Sequence, residues 1–111
     1  KNVHLIKPVD YEVFVFLMKY SYFILSDSGG VQEEAPTLHK PLLVVRDVTE
    51  RKESLELGSL KLVGTNSKKI VGNVTKLLNH KKLYNNMILK KNPYGDGYAS
   101  ERISKFLLKY L

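Results

Sequence analysis

The chain has 111 residues, 43% of them hydrophobic, and its 18 lysines and arginines against 11 aspartates and glutamates give a formal charge of +7. That length and apolar content support one domain with one modest core. The sequence contains no cysteine, which excludes a disulfide framework and a thiolate metal site.

Val3-His4-Leu5-Ile6 reads as a short strand closed by Pro8. Asp10 can cap a helix from Tyr11 to about Tyr20. That helix is apolar nearly all round (Val13, Phe14, Phe16, Leu17, Met18) and is therefore expected to be well buried. Tyr22-Phe23-Ile24-Leu25 is a second strand, with the unbroken apolar run of a buried parallel strand. A glycine turn and a helix to about His39 follow, and Pro36 should bend or shorten that helix by removing a backbone donor. Pro41 to Val45 is a third buried strand. Arg46 to Glu56 is a polar loop with room for a turn of helix, stopped at Gly58, and Leu60 to Val63 is a fourth strand ended by Gly64. Ile70, Val71, Val74, Leu77 and Leu78 have helical spacing, and Leu83, Tyr84, Met87 and Ile88 mark another helix. After a break at Asn92 to Gly97, Ile103, Phe106, Leu107, Tyr110 and Leu111 form the stripe of a last amphipathic helix. Strands alternating with helices at crossover length predict an α/β fold: a Rossmann-like parallel sheet with flanking helices.

The positive charge fits a nucleic acid, an anionic small ligand or simply a lysine-rich composition. Lys61, Lys68, Lys69, Lys76, Lys81, Lys82, Lys90, Lys91, Lys105 and Lys109 fall mostly between apolar positions of helical periodicity. They are expected on solvated helix faces, and nucleic acid is not an expected partner. His4, His39 and His80 lack metal-ligand spacing, and Val13 to Met18 is too short to span a membrane. The N-terminus lacks the charged, apolar, small-residue order of a signal peptide, so a cytoplasmic protein is expected.

The run Asp27-Ser28-Gly29-Gly30-Val31-Gln32-Glu33-Glu34-Ala35-Pro36 carries the most chemistry. Backbone N–H groups at a helix start attract phosphate, and glycines let it approach closely. A serine-capped turn that binds nothing fits Ser28, Gly29 and Gly30 equally well. Position favours a ligand, because open α/β sheets bind beyond the carboxyl ends of their strands. Of the two adjacent carboxylates, Glu33 suits a partner of the helix dipole. Glu34, beside the small Ala35, is favoured to accept hydrogen bonds from a ribose. In Arg46 to Glu53 a solvated charged loop is favoured over an arginine reaching phosphates. Asn92 to Gly97 is turn chemistry, and Phe14 is core.

Asp27 through Pro36, Arg46-Asp47 with Thr49-Glu50-Arg51, and Asn92-Pro93-Tyr94-Gly95-Asp96-Gly97 with Ala99 and Arg102-Ile103 together resemble the non-hydrolysing UDP-N-acetylglucosamine 2-epimerases. The resemblance covers essentially the whole chain but only the C-terminal part of such an enzyme. It implies a GT-B-like architecture of two Rossmann-like domains, of which residues 1–111 are a partial one. The implied reaction inverts C2 of UDP-N-acetylglucosamine through elimination and re-addition of UDP, without metal or nicotinamide. By motif, Ser28, Gly29 and Gly30 would hold the phosphates and Glu34 the ribose. Arg51 would lie near the UDP, and the backbone at Phe14 would meet the uracil. The family's catalytic carboxylates lie in its N-terminal domain, so this chain alone is expected to bind UDP weakly and not to epimerise; members usually dimerise. Three positions depart from the family: Val9 stands for glutamine, His39 for glycine, implying a different turn, and Lys52 for proline.

In a doubly wound sheet of order 3-2-1-4-5-6, the chain would supply strand 3 and then strands 4, 5 and 6. Three arrangements resolve the gap: Val3 to Ile6 moves beside Tyr22 to Leu25, another chain fills it, or the sequence is a piece of a longer protein. Two other functions stay open: a UDP-sugar glycosyltransferase or hydrolysing epimerase relative, and a stand-alone nucleotide-binding or interaction module.

Overall fold

A computed structural model describes residues 1–88 and 91–111; Lys90, assigned above to a solvated face, lies outside the described residues. Three strands, β1 (Ile24–Ser26), β2 (Leu42–Val44) and β3 (Leu60–Leu62), form one sheet in the order β1-β2-β3. Both pairings are parallel, with Ile24 beside Leu42 and Leu42 beside Leu60. These are the predicted second, third and fourth strands, each somewhat shorter than its apolar run.

Alternation along the central strand divides the core. Leu42 and Val44 face one side, packed with Met18, Val31, Ala35 and Leu60. That layer comes from α1 (Tyr11–Tyr20) and α2 (Gly29–Thr37). Leu43 faces the other side with Val63, Leu77 and Met87, against α4 (Ser67–Asn79) and the end of α5 (Lys81–Asn86). Between β2 and β3 the polar loop does fold into a short helix, α3 (Lys52–Leu57), ended by Gly58 in the left-handed region at φ 84°. A Cβ there would be strained, so glycine stops the helix cheaply. The last helix is α6 (Ala99–Leu108).

Several expectations are corrected. Val3 to Ile6 forms no strand and lies exposed, so it does not fill the gap beside β1. A strand exists by virtue of its ladder partner, and among the described residues β1 pairs only with β2. Asp10 sits at the start of α1, where its carbonyl accepts from Phe14 N–H (2.9 Å), but its side chain makes no cap hydrogen bond. Helix α1 is not well buried: it packs through Val15 and Met18 alone, and Val13, Phe14, Phe16 and Leu17 are exposed. The stripe of α6 is likewise uncovered at Ile103, Phe106, Leu107 and Tyr110. Pro36 falls in the last turn of α2, where the helix ends at Thr37. His39 follows with φ 56°, in the left-handed region that favours glycine.

Candidate functional site

Parallel pairing places the carboxyl ends of β1 and β2 side by side, with Ser26 opposite Val44. The turn after β1 and the loop after β2 therefore leave the sheet at the same end. Ser28 caps α2: its Oγ accepts from Val31 N–H (3.4 Å), while its own N–H donates to Ser26 Oγ (3.1 Å). Local hydrogen bonding thus fixes the turn without any ligand.

Arg51 reaches back over this turn. A Cβ added at Gly29 would lie 3.2 Å from Arg51 Nη2 and 3.6 Å from its Cζ. A side chain at this position would press on the guanidinium, which would have to shift by a few tenths of an ångström to admit it. Arg51 Nε donates to Glu33 Oε1 (2.8 Å) and Nη1 to Glu50 Oε1 (2.8 Å), which aims the group. The Glu50 carboxyl is lowered by its own backbone N–H first; desolvation opposes this, and Arg46 and then Arg51 lower it further. A helix start and a guanidinium facing one spot form a cradle for an anion.

The two adjacent carboxylates separate as their spacing requires. Glu33 pairs with Arg51, whereas Glu34 turns toward α1 and the Tyr11 hydroxyl. The Tyr11 phenol is pushed up by the Glu34 charge first, then by burial and by hydrogen bonding to the same carboxylate. Tyr11, Val15, Glu34, Thr37 and Leu38 line a small apolar pocket of about 130 Å³. Its polar rim on an apolar floor suits a ring that carries hydroxyls.

Phe14 is 40% exposed rather than core. With Leu17, Ile24, Leu25 and Ser26 it lines a second concavity, about 300 Å³, along the open edge of β1. The structure therefore brings Ser28, Gly29, Gly30 and Arg51 together, and sets Glu34 about a turn further along α2. Phe14 lies in a separate concavity that runs up to Ser26, two residues before the turn.

The Asn92–Gly97 segment is the tight turn expected from its residues. Asn92 Oδ1 accepts from Tyr94 N–H (3.0 Å), and Asn92 Nδ2 donates to Thr37 Oγ1 (2.6 Å), tying the turn to the end of α2. Asp96 receives both terminal nitrogens of Arg102, which hold its carboxyl far below the usual range, helped by Tyr98 N–H. Thr37, Asn92, Asp96 and Arg102 border a wide, open cavity of about 530 Å³. Among the described residues no three His, Asp or Glu side chains converge as metal ligands, and no helix is long and apolar enough to cross a membrane.

Gln32, Thr49 and Tyr11 also belong to the site, although their residue types do not single them out. Gln32 is fully buried, donates from Nε2 to the Ser28 carbonyl (3.2 Å) and accepts from the Thr49 hydroxyl. Its place four residues after the cap serine was the available signal, since that spacing stacks it on the cap.

Comparison with known proteins gives the same assignment over the whole chain. The family described as UDP-N-acetylglucosamine 2-epimerase matches residues 1–108. A UDP-N-acetylglucosamine 2-epimerase of Yersinia pestis is 57% identical over 106 residues, 96% of this chain and 28% of that protein. The crystal structure of a UDP-GlcNAc 2-epimerase from Neisseria meningitidis bound to UDP-GlcNAc superposes with TM-score 0.91 at 51% identity, over 98% of this chain and 29% of that one. The S. aureus MnaA–UDP co-structure superposes with TM-score 0.87 at 50% identity, over 96% and 28%. The chain thus spans under a third of the length of these relatives. With half of its residues shared along nearly its full length, it belongs to the UDP-N-acetylglucosamine 2-epimerase family.

Proposed function

We propose that residues 1–111 are the UDP-binding part of a UDP-N-acetylglucosamine 2-epimerase that interconverts UDP-GlcNAc and UDP-ManNAc. The observation that carries this is the Arg51 guanidinium seated over Gly29 at the start of α2. Ser28, Gly29 and Gly30 offer backbone N–H groups to the diphosphate, and Arg51 adds a charge-assisted fork. Glu34 accepts from the ribose hydroxyls in the pocket shared with Tyr11, and the backbone near Phe14 meets the uracil.

The chemical consequence is specific. Elimination of UDP leaves charge on the diphosphate, so a site that holds it tightly stabilises the leaving group. Proton transfer at the sugar needs carboxylates placed beside C2, and this reading assigns them to the part of the enzyme outside these 111 residues. This chain binds the nucleotide and does not epimerise alone. In the same reading the whole protein is a cytoplasmic homodimer serving polysaccharide biosynthesis.

Titrating UDP while following thermal unfolding tests the reading. Ligand bound only to the folded state raises Tm by mass action, so Tm should climb through millimolar UDP and stay unchanged with uridine. An unchanged Tm at millimolar UDP removes the ligand assignment.

A further inference from the structure

A partly buried hydrogen-bond relay joins the glycine turn to the arginine loop through Gln32, which is fully buried, and Thr49. Gln32 Nε2 donates to the Ser28 carbonyl (3.2 Å), Gln32 Oε1 accepts from the Thr49 hydroxyl, and Thr49 Oγ1 accepts from the Arg51 backbone N–H (3.0 Å). An amide withdrawn from water needs partners on both its oxygen and its nitrogen, and here each is supplied. The two ends of the relay are the cap of α2 and the residue whose guanidinium covers Gly29.

We propose that Gln32 and Thr49 are positioning residues for diphosphate recognition, fixing the Arg51 backbone relative to the start of α2 before any ligand arrives. The proposal rests on the UDP reading above. Glu33 and Glu50 do not suffice for this task. Both carboxylates are about half exposed, so water and salt compete for their pairs with Arg51. They aim the guanidinium tip, whereas the relay anchors the chain that carries it. An anchored cation loses less freedom on binding, which strengthens association without adding a contact.

Thr49→Val tests this, because valine matches the shape of threonine while removing both the donor to Gln32 and the acceptor for Arg51 N–H. UDP affinity is measured by calorimetry on the 111-residue chain at low and high salt, with Arg51 amide exchange followed without ligand. Thr49→Val should bind UDP about five- to tenfold more weakly, the scale of one hydrogen bond. Its affinity should also depend less on salt, and its Arg51 N–H should lose protection. Thr49→Ser should restore all three properties. Thr49→Val combined with Arg51→Ala should bind no more weakly than Arg51→Ala alone.

A folded Thr49→Val with wild-type affinity, salt dependence and exchange overturns the relay, as does full additivity in the double variant. If Thr49→Val does not fold, Gln32→Met supplies the same comparison. Wild-type protein that binds no UDP overturns the UDP reading and this role with it, a result distinct from a variant that matches a binding wild type.

Discussion

Glu33 and Glu34 are consecutive on α2, and roughly 100° of rotation separates consecutive helix positions. One carboxylate meets Arg51, and the other opens onto the Tyr11 pocket. If the ribose lies against Glu34, then Glu34→Ala should weaken UDP binding about tenfold, the scale of hydrogen bonds to a charged group. Glu33→Ala should cost less, because Glu50 still orients the guanidinium. Calorimetric titration ranks the two, and the reverse order would count against the ribose assignment. The cap serine and glycines were legible because capping is local chemistry. Arg51 was legible only through the family resemblance, since its approach to Gly29 depends on the parallel pairing of two strands from distant parts of the chain. Gln32 was less legible still: glutamine usually faces water, and its burial here depends on Thr49, 17 residues away.

Elements were legible where their own periodicity or punctuation defines them. Helix α1 spans Tyr11–Tyr20 as its cap and apolar run suggest, and Gly58 ends α3 at the expected place. The loop after β2 left the extent of α3 open, because its charged sequence has little apolar periodicity. Val3 to Ile6 misled for the opposite reason: a strand-like pattern makes a strand only when it pairs, and this segment lies exposed although β1 has an open edge. Strand β2 holds both core layers together, and Leu42 within it has no accessible surface. Leu42→Ala should therefore destabilise the fold by about 3 kcal/mol, the usual cost of emptying such a site. Urea unfolding followed by circular dichroism measures it, and a loss under about 1 kcal/mol would show that the first core layer does not depend on this side chain.

At the scale of the whole molecule, the Cα radius of gyration is 16.5 Å, against about 13 Å for a compact chain of this length. The excess agrees with an exposed N-terminal segment and the uncovered apolar stripe on α6. Apolar surface left in water favours association, so the sedimentation coefficient should rise with protein concentration. Phe106→Lys should reduce that rise, and an unchanged concentration dependence would place the association elsewhere. This surface was not legible in the residues, because an amphipathic helix looks the same whether or not its partner is present.

The most direct test of the account is an amide NMR map of the chain titrated with UDP. The largest shifts are expected at Gly29, Gly30, Glu34 and Arg51, where the cradle and the ribose pocket lie. Shifts confined to the open cavity between Asn92 and Arg102, or none at all, would contradict it.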